Sequence, residues 1–287
     1  MGDKRRQECR RGTLRARHRG ARYHSGVGLE QTKREDPEWV TKAARAHVHY
    51  RVPGMEDVAV RSNLGPLEFD LYGSAATPAP CVILIHGGPV PANLLTTPKE
   101  WGWFQSYGRL LAASGLAAVM FNHRFFGPDM LPKAIADTQE LFRYVREHSE
   151  ELNLDRDRMC LWVFSGGGPI ISPFLRETPD GLRCVVAYYA ALHAAVPDFS
   201  PAIQVSENAG RIPALLTARA GLDNPQLNEA MDLFIQNALK KNACLDVLNH
   251  ATGQHGFDCR DDNARTRDIM RRTIEFIHTQ LSTNGPD

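Results

Sequence analysis

An α/β architecture, with a mostly parallel central sheet covered by helices on both faces, is what this sequence predicts, and three observations carry the prediction. Short runs of Val, Ile, Leu and Ala alternate with stretches of helical periodicity from about residue 47 onward. Hydrophobic residues make up 43% of 287, which supplies one large core and excludes a disordered chain or a small stapled scaffold. No internal repeat and no linker follow residue 40, so a single domain, 38–287, is expected to hold every strand.

The N-terminal segment stands apart. Residues 1–35 carry eleven Lys or Arg against four acids, in a chain whose net charge is only +1. So polar and like-charged a segment cannot bury enough apolar surface to offset its ordering entropy, and residues 1–37 are read as a basic disordered arm. Such an arm could touch nucleic acid or anionic lipid, or serve as a transit segment; a solvated tail is the reading preferred. The position where a myristoylation signal wants Ser or Thr holds Arg6. No run of roughly 18 apolar residues and no secretory core occur, so a cytoplasmic protein without a membrane span is expected. Cys9, Cys81, Cys160, Cys184, Cys244 and Cys259 are scattered without CxxC spacing, which predicts reduced thiols and no metal cluster.

Strands are expected at 47–52, 58–62, 67–72, 81–86, 117–122, 159–164, 184–189, 214–218 and 244–248. Between them, Phe104, Tyr107, Leu110 and Leu111 recur at helical spacing before Gly115, a residue suited to a C-terminal cap. Leu227, Met231, Phe234, Ile235, Ala238 and Leu239 trace a second apolar stripe, and Ile269, Met270, Thr273, Ile274, Ile277 and Leu281 trace the last. These stripes are core. The 192–212 connection contains Pro197 and Pro201 and is too short for a helical lid domain.

Three loops carry chemistry. Ser165-Gly166-Gly167-Gly168 follows the strand 159–164 and precedes a helical stretch holding Ile170, Ile171 and Phe174, the tight strand-to-helix turn that lifts a nucleophilic hydroxyl clear of a sheet. The helix start and the Gly166 N–H would face a developing oxyanion. A dinucleotide cradle fits poorly, because the third glycine of GxGxxG falls on Ile171. Upstream, strand 81–85 runs into His86-Gly87-Gly88-Pro89, which should reach the same sheet edge. Pro89 has no N–H, so the second oxyanion donor comes from this glycine loop, at Gly88, or from Val90. His86 is read as a structural hydrogen-bonding residue. Downstream, His255 in Gly253-Gln254-His255-Gly256 is placed to take the serine proton, with His250 as its rival. The acid should lie after an intervening strand, and Asp223 meets that demand; its alternative is an N-cap, a task that Asn224 could perform instead. Asp198, Asp232 and Asp258 are less favoured carboxylates.

With these residues in place, the chain between about 55 and 281 resembles the α/β-hydrolase superfamily, and within it the lidless dienelactone-hydrolase-like esterases. The resemblance rests on the order Ser165, Asp223, His255, on His86-Gly87-Gly88 and on the serine elbow. It implies an α/β-hydrolase fold without a large lid. It further implies a serine hydrolase that cleaves small carboxylic esters through an acyl-enzyme, with Gly87, Gly88 and Gly166 at the oxyanion and no metal or organic cofactor. Trp101, Trp103, Phe125 and Phe126 follow strand ends on the expected pocket side, which points to an apolar or aromatic acyl or alcohol group. Val163 stands where the elbow motif has Gly, and its branched side chain is expected to tilt the elbow. Two alternatives are kept. The His86–Pro89 loop also resembles that of proline-specific aminopeptidases, which carry a helical cap, and a non-catalytic hydrolase fold acting through the basic arm would explain Val163.

Overall fold

The computed structural model describes residues 35–73, 77–208 and 210–282. The expected arm therefore lies outside the described residues as far as position 34, but its last three residues belong to the folded unit. The carboxylate of Asp36 accepts hydrogen bonds from the backbone N–H groups of Leu95 (2.6 Å) and Thr96 (2.9 Å). That pair of contacts fastens the start of helix α1 (Glu38–Arg45) to a loop on the sheet's functional edge.

Eight strands form one sheet: β1 (Val60–Leu64), β2 (Phe69–Tyr72), β3 (Ala79–Ile85), β4 (Ala117–Met120), β5 (Leu154–Phe164), β6 (Leu182–Tyr188), β7 (Ala214–Ala220) and β8 (Leu245–His250). Their spatial order is β1-β2-β4-β3-β5-β6-β7-β8. The first two strands are antiparallel, β2 runs antiparallel to β4, and everything from β4 to β8 is parallel. The parallel strands consequently deliver their carboxyl ends, and the loops that follow them, to one edge.

The helices complete the α/β pattern: α2 (Gly102–Ala113), α3 (Leu131–Glu147), α4 (Ser149–Leu152), α5 (Ser172–Arg176), α6 (Pro201–Glu207), α7 (Pro225–Lys240), α8 (Phe257–Arg260) and α9 (Ala264–Gln280). Side chains alternate across the sheet with period two. Val82 and Leu84 of β3 and Cys160, Trp162 and Phe164 of β5 meet α1, α2 and α9. Cys81, Ile83 and Ile85, with Met159, Leu161 and Val163, meet the layer of α3, α5, α6 and α7. Each fully buried aliphatic or aromatic side chain contributes about 1.5–3 kcal/mol relative to exposure, so the two cores together hold the sheet rigid.

Two strand expectations change. Residues 47–52 form no strand, because their backbone is used elsewhere: the Val48 N–H donates to Ser106 Oγ (3.0 Å) and the His49 N–H to the Asp258 carbonyl (2.9 Å). Strand β5 begins at Leu154, five residues earlier than hydropathy indicates, since the polar Asp155–Arg158 stretch projects from a strand that has already paired through Ala79 and Leu154. Between β6 and β7 the described residues form a single turn at Pro197–Phe199 and the seven-residue α6, whose Ala202 and Val205 pack into the core. Among the described residues no helix is long and apolar enough to cross a membrane.

Replacing Asp36 with Ala removes two charge-assisted bonds at a half-buried position. A loss of about 1 kcal/mol is expected, read as a fall of about 2–4 °C in Tm for a domain of this size. An unchanged Tm by calorimetry would show that α1 is held by its apolar face alone.

Candidate active site

Ser165 sits where β5 ends, with φ of +53°. Left-handed backbone at a non-glycine residue costs of order 1–3 kcal/mol and persists only where surrounding structure over-determines it. The over-determination is visible at Gly166. A Cβ there would lie 1.8 Å from the Gly88 carbonyl oxygen, so only glycine lets the loop after β3 close against the elbow. Gly87 lies against Ser165 in turn, since a Cβ on it would stand 2.9 Å from Ser165 Cβ. From Ser165 to Ile171 the chain winds as a tight 3₁₀ run containing Pro169 and only then becomes α5. The expected helix is thus present in a tighter form, and a five-residue α5 cannot supply the full macrodipole that a long helix would.

Val163 is accommodated beside the elbow. Its side chain is fully buried in the α3-side core, and its Cγ2 would stand 3.1 Å from a Cβ at Gly167, so the missing side chain at 167 gives the valine room. With that accommodation Ser165 Oγ lies 2.8 Å from His255 Nε2. His255 Nδ1 lies 2.7 Å from Asp223 Oδ2. A carboxylate only accepts, so the Nδ1 proton points to Asp223 and Nε2 is left as acceptor for the serine hydroxyl.

The two loops that hold the acid and the imidazole are stitched together. The Gly221 N–H donates to the His250 carbonyl and the Leu222 N–H to the Gly253 carbonyl, each at 2.9 Å. Asn224 takes the N-cap of α7 by accepting from the Gln226 N–H, which leaves Asp223 available to His255. The Asp223 side chain is only 4% exposed. The rival acids are engaged elsewhere: Asp198 faces Arg176, and Asp232 accepts from Arg219 (2.9 Å). His250 is buried with Nε2 3.2 Å from Thr266 Oγ1, where it supports the loop below Gly253.

His86 is buried and stacks on His123, ring centroids 3.6 Å apart. Burial, with the neighbouring His123 next in weight, holds His86 well below the usual imidazole range, and burial pulls His123 down to about 4. Two neutral rings thus brace the glycine loop, His123 Nε2 lying 3.1 Å from the His86 carbonyl. Val90 is removed from the oxyanion candidates, because its N–H already donates to the Phe125 carbonyl at 2.9 Å.

A cavity of about 410 Å³ opens beside Ser165 and His255, with Trp101 and Trp103 in its wall. Phe125 and Phe126 are not among its lining residues. The Arg124 N–H and Nε donate to Asp137 of α3 at 2.9 and 3.1 Å, which draws this loop toward the α3 face. Phe125 is buried there beneath Gly88, and Phe126 is 39% exposed. Sequence reasoning missed the other side of the cavity, where α1 contributes Trp39 and Lys42 and the region after His255 contributes Cys259 and Arg260. The only sequence signal was the placement of Cys259 and Arg260 four and five positions after the loop histidine. Burial pushes the Cys259 thiol up, so it stays protonated in the cavity that Ser165 also lines.

Asp258, considered only as a rival acid, has a structural task. Fully buried, it accepts from Trp103 Nε1 (2.8 Å) and Tyr107 OH (2.7 Å) on one oxygen and from Tyr189 OH (2.7 Å) on the other. Tyr189 in turn packs against the His255 ring at 4.8 Å. Burial raises the Asp258 pKa above its ordinary 3.8, with the three donors opposing that shift.

Comparison with known proteins bears on the fold. The family described as BD-FAE matches residues 69–172. No curated protein matches the sequence. Among solved structures, the apo form of Thermogutta terrifontis esterase 2 superposes with a TM-score of 0.64 at 17% identity, covering 82% of this chain and 98% of that one. The same esterase phosphorylated by paraoxon gives 0.61 at 16% identity, covering 83% and 98%. A point mutant of the esterase rPPE gives 0.66 at 16% identity, covering 86% and 89%. The protein has the α/β-hydrolase fold.

Asp258→Ala strands three buried donors and should cost about 3–6 kcal/mol, at about 1–3 kcal/mol for each orphaned group less what water recovers. Asp258→Asn can still accept from Trp103 and Tyr107 and donate to Tyr189, so it should lose far less; equal losses in urea midpoint would show that the contacts carry little. Because its folded pKa is raised, the stability contributed through Asp258 is greatest below 3.8 and falls as pH rises through the folded value, a slope that Asp258→Asn removes. Val163→Gly opens a cavity in the core and adds glycine's entropy, so Tm should fall with no gain in kcat on any ester. A rise in kcat would restore the tilted-elbow expectation.

Proposed function

We propose that the protein is a serine hydrolase of carboxylic esters, working through an acyl-enzyme. The observation that carries this is the continuous line from Ser165 Oγ through His255 to Asp223, with contacts of 2.8 and 2.7 Å. Ser165 Oγ attacks the ester carbonyl carbon as His255 Nε2 takes its proton, and Asp223 stabilises the imidazolium that forms. The tetrahedral oxyanion is held by backbone N–H groups of Gly166 and of the Gly87–Gly88 loop, the Val90 N–H being engaged with the Phe125 carbonyl. His255 returns its proton to the departing alcohol oxygen, and water, activated by the same imidazole, then releases the carboxylic acid and regenerates Ser165.

The esterase names of the structural neighbours support the reaction class, and the paraoxon-phosphorylated neighbour supports a nucleophile of this kind. The aromatic wall at Trp101 and Trp103 favours an apolar or aromatic ester partner. The chemistry needs no metal or organic cofactor. The dienelactone-hydrolase-like branch and a cytoplasmic site belong to the same reading.

A fluorophosphonate probe should label the protein at Ser165, and p-nitrophenyl esters of short acids should be turned over. Ser165→Ala should lose the label and at least about a hundredfold in kcat while keeping its Tm, and Asp223→Asn should lose a similar factor without losing the fold. A Ser165→Ala variant with unchanged turnover would overturn the assignment.

A further inference from the structure

We infer that the cavity beside Ser165 recognises an anionic group on its ligand, and that the substrates it selects are aryl esters bearing a carboxylate remote from the scissile bond. The identity of the ligand as an ester rests on the hydrolase reading above; the anion site does not.

The argument begins with the charges around the cavity. Two cations, Lys42 of α1 and Arg260 at the end of α8, are among its lining residues, and no Asp or Glu is. Lys42 is shared with Glu38 in an exposed pair at 2.9 Å. Arg260 has no ion-pair partner among the described residues. The acids that follow or precede it in sequence are each used otherwise. Asp258 is enclosed by Trp103, Tyr107 and Tyr189, Asp261 accepts from the N–H (2.8 Å) and Nε2 (3.1 Å) of Gln254, and Asp262 pairs with Arg267.

Geometry then ties this guanidinium to the reactive end of the cavity. Gly256, the residue after His255, has Trp103 and the Arg260 side chain close to the same face. A Cβ built on it would meet Trp103 Cη2 at 3.6 Å and Arg260 Cδ and Nε at 3.7 Å. An aromatic ring lying along Trp103 would therefore present a substituent to Arg260 while its ester stands near Ser165. A planar guanidinium offers two parallel N–H donors to a carboxylate, which gives direction as well as attraction. The same cation next to an apolar aromatic wall, with no acid to neutralise it, penalises a neutral ring less than it rewards an anionic one.

The test uses two matched pairs, because the carboxylate could sit on either side of the ester. Mono-p-nitrophenyl terephthalate is compared with p-nitrophenyl 4-methylbenzoate for the acyl side, and 4-acetoxybenzoate with 4-acetoxytoluene for the alcohol side. Wild-type protein should favour the anionic member of at least one pair by about tenfold in kcat/KM, as a charge-assisted contact at a half-open site allows. Arg260→Glu should invert that ratio, and Arg260→Gln, which keeps the stem, should bring it near one; reading each ratio against wild type corrects for intrinsic reactivity. Added salt should shrink the preference. In a Ser165→Ala background, quenching of tryptophan fluorescence by benzoate should weaken at least about tenfold more than that by benzyl alcohol when Arg260→Glu is introduced. Ratios that do not respond to Arg260→Glu, in both kinetics and quenching, overturn the anion site even if neutral esters are cleaved. Should no ester be cleaved while benzoate binding depends on Arg260, the hydrolase reading falls and the anion site stands.

Discussion

The contact between two backbones, the Cα of Gly166 and the carbonyl of Gly88, is the constraint on which the geometry around Ser165 depends. It exists because β3 and β5 are neighbours in parallel, with Ile85 opposite Val163, so that the loops following them leave the sheet side by side. Ser165 is then forced into left-handed backbone at the turn, and that conformation aims its hydroxyl toward the imidazole. The following loop after β6 closes the arrangement from the other side, with the Ala191 N–H donating to the Ser165 carbonyl at 2.9 Å. Strain at one residue is thus held by hydrogen bonds and close packing from three loops.

A second constraint is electrostatic and lies one layer deeper. Burying a carboxylate is costly unless it is hydrogen-bonded, and Asp258 is hydrogen-bonded by three side chains from two separate parts of the chain. By accepting from Trp103 and Tyr107 of α2 and from Tyr189 after β6, it fixes the aromatic wall of the cavity relative to His255. Tyr107 and Tyr189 remain donors because burial raises both phenols well above their ordinary range. The cavity wall and the Tyr189 ring that packs on His255 are therefore positioned by one buried group that does not line the cavity. Asp223, the carboxylate that contacts His255 Nδ1, is positioned separately, by loops after β7 and β8 that bond to each other.

Sequence alone determined eight of the strands and singled out Ser165, Asp223 and His255, which the fold brings into hydrogen-bonding contact, because these depend on local patterns. Apolar runs mark buried strands, glycines mark the sharp turns after them, and chain order places the acid and histidine on later strand ends. What only the tertiary structure decided are the features that depend on which side chains other elements place opposite. Val163 is tolerated because Gly167 lacks a Cβ, Val90 is spent on Phe125, and residues 47–52 surrender their backbone donors to Ser106 and Asp258. Phe125 turns into the core because Arg124 is held by Asp137, while Trp39 and Arg260, more than two hundred residues apart, arrive at the same cavity. Local pattern determines where a chain turns and which face it buries, but side-chain partners across such distances are set only when the packed sheet brings its loops to a common edge.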